Sequence, residues 1–137
     1  MLKYDDYLAI LKGKEGEYSA LASLDSQVKI KVKPLIEIPP LEFDYENNRS
    51  KRTLDEHLLK ASKKIIKCWP HDCTCYLDGR YHEDSFCNDG THSLTALYKH
   101  LKKKSAVRIP VTGLRRKREY QNSVINILKE EDKGICL

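Results

Sequence analysis

Short apolar runs alternate along the chain with longer stretches whose apolar positions recur at helical spacing. Tyr7-Leu8-Ala9-Ile10-Leu11, closed by Lys12-Gly13-Lys14, predicts a strand over 7–12. Tyr18, Leu21 and Ala22 share one face of a helix predicted over 15–24. Val32 to Ile38 predicts a strand over 32–38, with Pro34 tolerable near its start and Pro39-Pro40 closing it. Leu41 to Arg52 is polar and irregular and reads as a loop. Thr53-Leu54-Asp55-Glu56 is a capping box, in which the Thr53 hydroxyl accepts from the Glu56 N–H and Glu56 reaches back to Thr53. It opens a helix predicted over 53–69, with Leu54, Leu58, Ala61, Ile65, Ile66 and Trp69 on one stripe and Pro70 as its stop.

The second half repeats the alternation. Cys73 to Leu77, ended by Asp78-Gly79, predicts a strand over 73–78, followed by a loop to His92. Ser93 caps a helix predicted over 93–104, and Lys102 to Lys104 suit its negative C-terminal end. A strand follows over 106–111, and then a helix over 119–131 carrying Tyr120, Val124, Ile127 and Leu128. Gly134 to Leu137 begins another apolar run. Strand starts recur about every 26 to 40 residues, the size of a βα unit, and such alternation argues an α/β fold with a parallel sheet. No G-x-G-x-x-G follows the first strand, which lowers the dinucleotide-binding reading. The expectation is one incomplete domain over 1–137, the first half of a (β/α)8 TIM-like barrel truncated at strand five.

Composition narrows the class. A length of 137 residues, 40% hydrophobic and 33% charged, suits one soluble globular domain. No apolar run nears the roughly 20 residues needed to span a bilayer, and the acidic start Met1-Leu2-Lys3-Tyr4-Asp5-Asp6 is no signal peptide. The expected location is the cytoplasm. Five cysteines without a secretion signal argue reduced thiols rather than a disulfide framework. A net charge of +5 allows anionic partners without demanding nucleic acid.

Five segments together carry a resemblance: Ile10 to Glu17, Pro34 to Pro40, Asp89-Gly90-Thr91-His92 with Leu94, Ile109 to Leu114 with Tyr120-Gln121-Asn122, and Gly134 to Leu137. In this order they resemble the phage-type "beta protein" family, found in phages and bacterial genomes. The resemblance covers nearly all of this chain and only the N-terminal part of the longer family members. It implies a barrel-like fold and no particular activity. The Cys73-Thr74-Cys75 strand and the Arg115-Arg116-Lys117-Arg118 run are not among its features.

In a parallel barrel chemistry sits at the C-terminal strand ends. Those ends hold Lys12, Glu37, Asp78 and Thr112, with Lys14, Arg115 and Arg116 in the loops beyond. Glu37 lies in an apolar run, where a carboxylate must pair, bind metal or shift its pKa upward. Lys12, Glu37 and Asp78 are the catalytic candidates, and Lys14, Thr112, Arg115 and Arg116 are the candidates for holding an anion. Glu37 and Asp78 could carry Mg²⁺ while Lys12 neutralises a phosphate. The plainer reading is an ion pair, Lys12 with Glu37 or Asp78, that closes the barrel end. Whether the protein is an enzyme stays open.

Cys68, His71, Cys73, Cys75, His82, Cys87 and His92 fall close together, but no C-x-x-C knuckle is present. Core thiols are preferred to a zinc site built from Cys68, His71, Cys73 and Cys75. Two basic runs, Lys102 to Lys104 and Arg115 to Arg118, flank the fourth predicted strand from opposite ends. The second sits on the functional face, where phosphate or nucleic acid could meet it, although no aromatics interleave with it. A half-barrel would expose strand edges and interior side chains, so the expected partner is a second copy or a missing C-terminal half.

Overall fold

The computed structural model describes residues 2–70, 72–101 and 107–137. Strands β1 (Tyr7–Leu11), β2 (Val32–Glu37), β5 (Cys75–Asp78) and β6 (Arg108–Pro110) form a parallel sheet in the order β1-β2-β5-β6. Helices α1 (Glu15–Ser23), α3 (Leu54–Cys68), α4 (Ser93–Leu101) and α5 (Arg118–Glu131) follow the successive strands. They pack side by side in chain order, α1 on α3, α3 on α4 and α4 on α5. Among the described residues no helix is long and apolar enough to cross a membrane.

Period-two alternation decides which side of the sheet each residue serves. Ile36 and Leu77 are register partners and join the helix-side core with Leu58, Ile65, Trp69, Leu97 and Tyr120. Leu35, Tyr76 and Ile109 are partners in the adjacent row and form a smaller cluster with Val111 and Cys136 on the opposite side. On that opposite side Leu8 and Ile10 remain exposed. β2 lies inside the sheet yet contains Pro34, which lacks an N–H. Its pairing with β5 begins only at Leu35, so Pro34 stands where β2 has a single strand neighbour.

Local signals explain most elements. The Thr53 Oγ1 accepts from the Glu56 N–H at 3.3 Å, and the Thr53 N–H donates to Glu56 Oε2 at 2.9 Å. α3 then buries Leu58, Ala61, Ile65 and Cys68 along one stripe. The single tryptophan, Trp69, caps the helix and donates its indole N–H to the Thr74 carbonyl at 3.2 Å.

Several expectations need correction. Residues 26–31, for which the sequence pattern predicts no element, form helix α2 (Ser26–Lys31), with the Asp25 side chain accepting from the Val28 N–H. The loop expected over 41–52 contains a hairpin, β3 (Phe43–Asp44) against β4 (Arg49–Ser50). Its turn is held by Asp44, whose side chain accepts from the Glu46 and Asn47 N–H groups, with Asn48 at φ 49°. The strand expected over 73–78 starts only at Cys75, as β5, so Cys73 precedes it. The expected strand over 134–137 is reduced to one parallel bridge, Val111 with Cys136. Two bonds make it: Cys136 N–H to the Pro110 carbonyl at 3.0 Å and Thr112 N–H to the Cys136 carbonyl at 2.8 Å. His71, the run Lys102 to Lys104 and the predicted strand start at Ala106 lie outside the described residues.

Candidate functional site

The C-terminal ends of the strands carry the charged side chains. Lys12 follows β1 and, one step beyond the Leu11–Ile36 pair, stands opposite Glu37, the last residue of β2. Glu37 is in turn the register partner of Asp78, the last residue of β5. All three belong to the row on the side away from the helices, because they continue the Leu35–Tyr76 alternation.

Each carboxylate is bonded by cations. Lys12 Nζ donates to Glu37 Oε2 at 2.7 Å, and Arg80 Nη1 donates to Oε1 at 3.3 Å. Asp78 accepts from Arg116 Nη2 on both oxygens, at 2.9 and 2.8 Å, and from the Arg80 N–H at 2.9 Å. Arg116 Nη1 also donates to Glu83 Oε1 at 2.6 Å, while Glu83 Oε2 accepts from the Lys117 N–H. Lys117 reaches Asp84 through its ammonium group. The Arg116 guanidinium lies over the Tyr120 ring, 5.4 Å from its centroid. Tyr120 is fully buried, and its hydroxyl donates to the Val111 carbonyl at 2.9 Å while accepting from the Gly79 N–H at 3.0 Å. A Cβ on Gly79 would come within 3.1 Å of that ring, which explains glycine there.

The electrostatics separate the two carboxylates. The Lys12 ammonium, outweighing burial and helped by Arg80, holds Glu37 below its ordinary value, and Glu37 holds Lys12 above its own. Burial pushes Asp78 up, against the opposing pull of Arg116 and the Arg80 N–H. Burial also pushes on Glu83, but its bonds to Arg116 and the Lys117 N–H win and leave it lowered. At Glu37 the bond from Lys12 outweighs burial, whereas at Asp78 burial outweighs the pull of Arg116. That difference explains why two carboxylates of similar exposure shift in opposite directions.

Histidines brace the same end. His57 Nε2 and His82 Nε2 both lie against the Pro39 carbonyl, at 2.7 and 2.8 Å. A carbonyl only accepts, so both nitrogens carry the proton. Burial lowers both rings' pKa, which keeps them neutral. His92 donates from Nε2 to the Glu83 carbonyl and accepts the Leu94 N–H at Nδ1, so both its nitrogens are engaged with backbone.

The expected residues thus divide. Lys12 and Glu37 meet, and Asp78 sits beside Glu37 but is bonded to Arg116 instead of Lys12. Thr112 gives its hydroxyl proton to Gln121 Oε1 at 2.8 Å. Arg116 is held by carboxylates, Arg115 is exposed, and Lys14 sits at the N-cap of α1, bordering a separate cleft. Arg115 and Arg116 line a cavity of about 600 Å³ with Arg80, Glu83, Gly113 and Leu114. Cys68 and Cys75 are core residues whose thiols burial pushes up, to about 11 and about 12. Among the described residues no group of three or more His, Cys, Asp or Glu is placed to hold a metal ion.

Sequence reasoning missed Arg80, Glu83 and Tyr120. Arg80 had a local signal, since Asp78-Gly79-Arg80 sets an Asp side chain within reach of the N–H two residues on. Tyr120 had one as a core-face residue of its helix and part of a family segment, but not as the ring beneath Arg116, and Glu83 had none, because its partners are remote in sequence.

Fold and site together define an α/β protein of parallel βα units with a charged rim at the C-terminal ends of its strands. The chain belongs to the Beta protein family, whose model matches residues 7–137 and so takes in every element from β1 onward. No curated protein and no solved structure matches the chain.

Proposed function

We propose that this Beta protein family member binds a compact anionic ligand, of phosphate type, at the C-terminal ends of its strands through Lys12, Arg80 and Arg115. One observation carries the reading. The Lys12 and Arg80 side chains are 52% and 50% exposed, while the Glu37 carboxylate beneath them is 5% exposed. Buried acid therefore orients cations whose outer faces meet solvent, and Arg115 extends the positive edge along the cavity wall. A planar guanidinium held as Arg80 is by Glu37 suits the geometry of phosphate oxygens.

The same pairing disfavours acid–base work by Lys12 and Glu37. Proton transfer is best served by groups poised near the working pH, and these two are pushed away from it in opposite directions. It also disfavours Mg²⁺, since the Glu37 and Asp78 oxygens are already taken by cationic donors. A long nucleic-acid strand is less well matched, because Arg116 and Lys117 of the basic run are committed to Glu83, Asp78 and Asp84.

The scaffold is proposed to be an arc of a barrel. Support comes from the unbroken strand order, from helices packed in sequence on one face, and from the exposed Leu8 and Ile10 on the other. Further strands, from the same chain or a second copy, would cover that face. Calorimetric titration with pyrophosphate at low ionic strength tests the binding reading. Wild type should bind, and Arg80→Ala combined with Arg115→Ala should bind at least tenfold more weakly. Equal binding by both proteins overturns the proposal.

A further inference from the structure

A second feature lies on the outer side of the same end of the sheet. Gly13, the N-terminus of α1 and the facing side of α3 enclose a cleft of about 330 Å³. That size sits at the small end of ligand pockets. Tyr18 forms part of its lining, is 5% exposed, and ends in a hydroxyl without a hydrogen-bond partner among the described residues. The hydroxyl lies beneath Gly13, 3.3 Å from where a Cβ on that glycine would stand. A buried hydroxyl left unbonded costs free energy, so an orphan at a cleft floor points to a group that completes it.

The charge around the cleft is one-sided. Its two acids are answered, Glu15 by Lys64 and Glu42 by Lys51. Lys14, Arg52 and Lys60 line the cleft as well, and no ion pair engages them among the described residues. Their charge is felt at the wall, where Arg52 and Lys60 add to burial in lowering His57. Lys14 and Glu15, at the N-terminal end of α1, stand at its edge.

We propose that this cleft is a second binding site, for a small phosphate monoester. Lys14, Arg52 and Lys60 meet the phosphate, and Tyr18 donates to an oxygen of the ligand that reaches the floor. The site is separate from the strand-end rim and uses none of its residues.

The probe is glycerol phosphate, titrated by calorimetry and by its shift of the thermal midpoint, against wild type and three variants. Tyr18→Phe removes a hydroxyl that has no partner, so the ligand-free protein should be as stable as wild type while the midpoint shift shrinks several-fold. Arg52→Met with Lys60→Met should weaken binding at least tenfold. Arg80→Ala should leave this site's affinity unchanged, which separates the two sites. A Tyr18→Phe protein that binds as wild type overturns the proposal, as does full binding by the Arg52→Met, Lys60→Met double variant. A Tyr18→Phe protein less stable without ligand overturns it too, because the hydroxyl would then be bonded within the protein. If only Arg80→Ala loses binding, the probe sits at the rim and the cleft site is refuted while the rim survives.

Discussion

Replacing Arg116 with methionine isolates what holds the strand-end rim together. Methionine keeps much of the apolar stem but removes both bonds to Asp78, the bond to Glu83 and the guanidinium over Tyr120. Breaking a buried ion pair by removing one partner costs about 3–5 kcal/mol. The Arg116 side chain is 17% exposed and that of Asp78 8%, so some water reaches the pair and about 3 kcal/mol is the better figure at neutral pH. The cost depends on pH, and its sign follows from Asp78. Burial already raises this carboxyl above its ordinary 3.8, and without Arg116 it rises further. A raised acid favours the folded state below its unfolded pKa and loses that contribution as pH climbs through the folded value. The stability gap between wild type and variant should therefore be small near pH 3.8 and open toward neutrality. Urea unfolding followed by the fluorescence of buried Trp69 reads it. With a slope near 1.5 kcal/mol per M, the midpoint should fall by about 2 M at neutral pH. A gap equally wide in acid, or wider, would refute the assignment of the loss to Asp78.

Tyr120→Phe leaves the Gly79 N–H and the Val111 carbonyl without their buried partner, and should cost about 2–4 kcal/mol in the same urea assay. Gly13→Ala places a Cβ 2.6 Å from the Glu37 carbonyl at φ +65°, so a loss of at least about 2 kcal/mol and weaker pyrophosphate binding are expected. Glu37 and Glu83 are both held below their ordinary 4.5, so wild-type stability should decline as pH drops below that value. Glu37→Gln should flatten the decline in a series of thermal melts, and an unchanged slope would count against the Lys12 and Arg80 pairing.

Much of the framework was legible because it rests on local rules. The Thr53 box and the stripe from Leu54 to Ile65 locate α3, since cap and core face are written within one helix. The row Lys12, Glu37, Asp78 was legible because strand ends and period-two alternation together fix a side and a level. α2 escaped because Val28-Lys29-Ile30-Lys31 alternates as a strand would, although Asp25 is a recognisable cap. The hairpin escaped because each of its strands is only two residues long. The partners chosen inside the rim were not legible at all. Asp78 prefers Arg116 to Lys12 because the loop before α5 folds its guanidinium over Tyr120, a tertiary contact that no window of sequence contains.

Nuclear magnetic resonance mapping with pyrophosphate tests the strand-end site most directly. Amide and side-chain signals of Lys12, Arg80 and residues 113–116 should move together and saturate with one affinity at low ionic strength. No movement there, or small shifts scattered over the lysines of the helices, would contradict a built anion site at the ends of the strands.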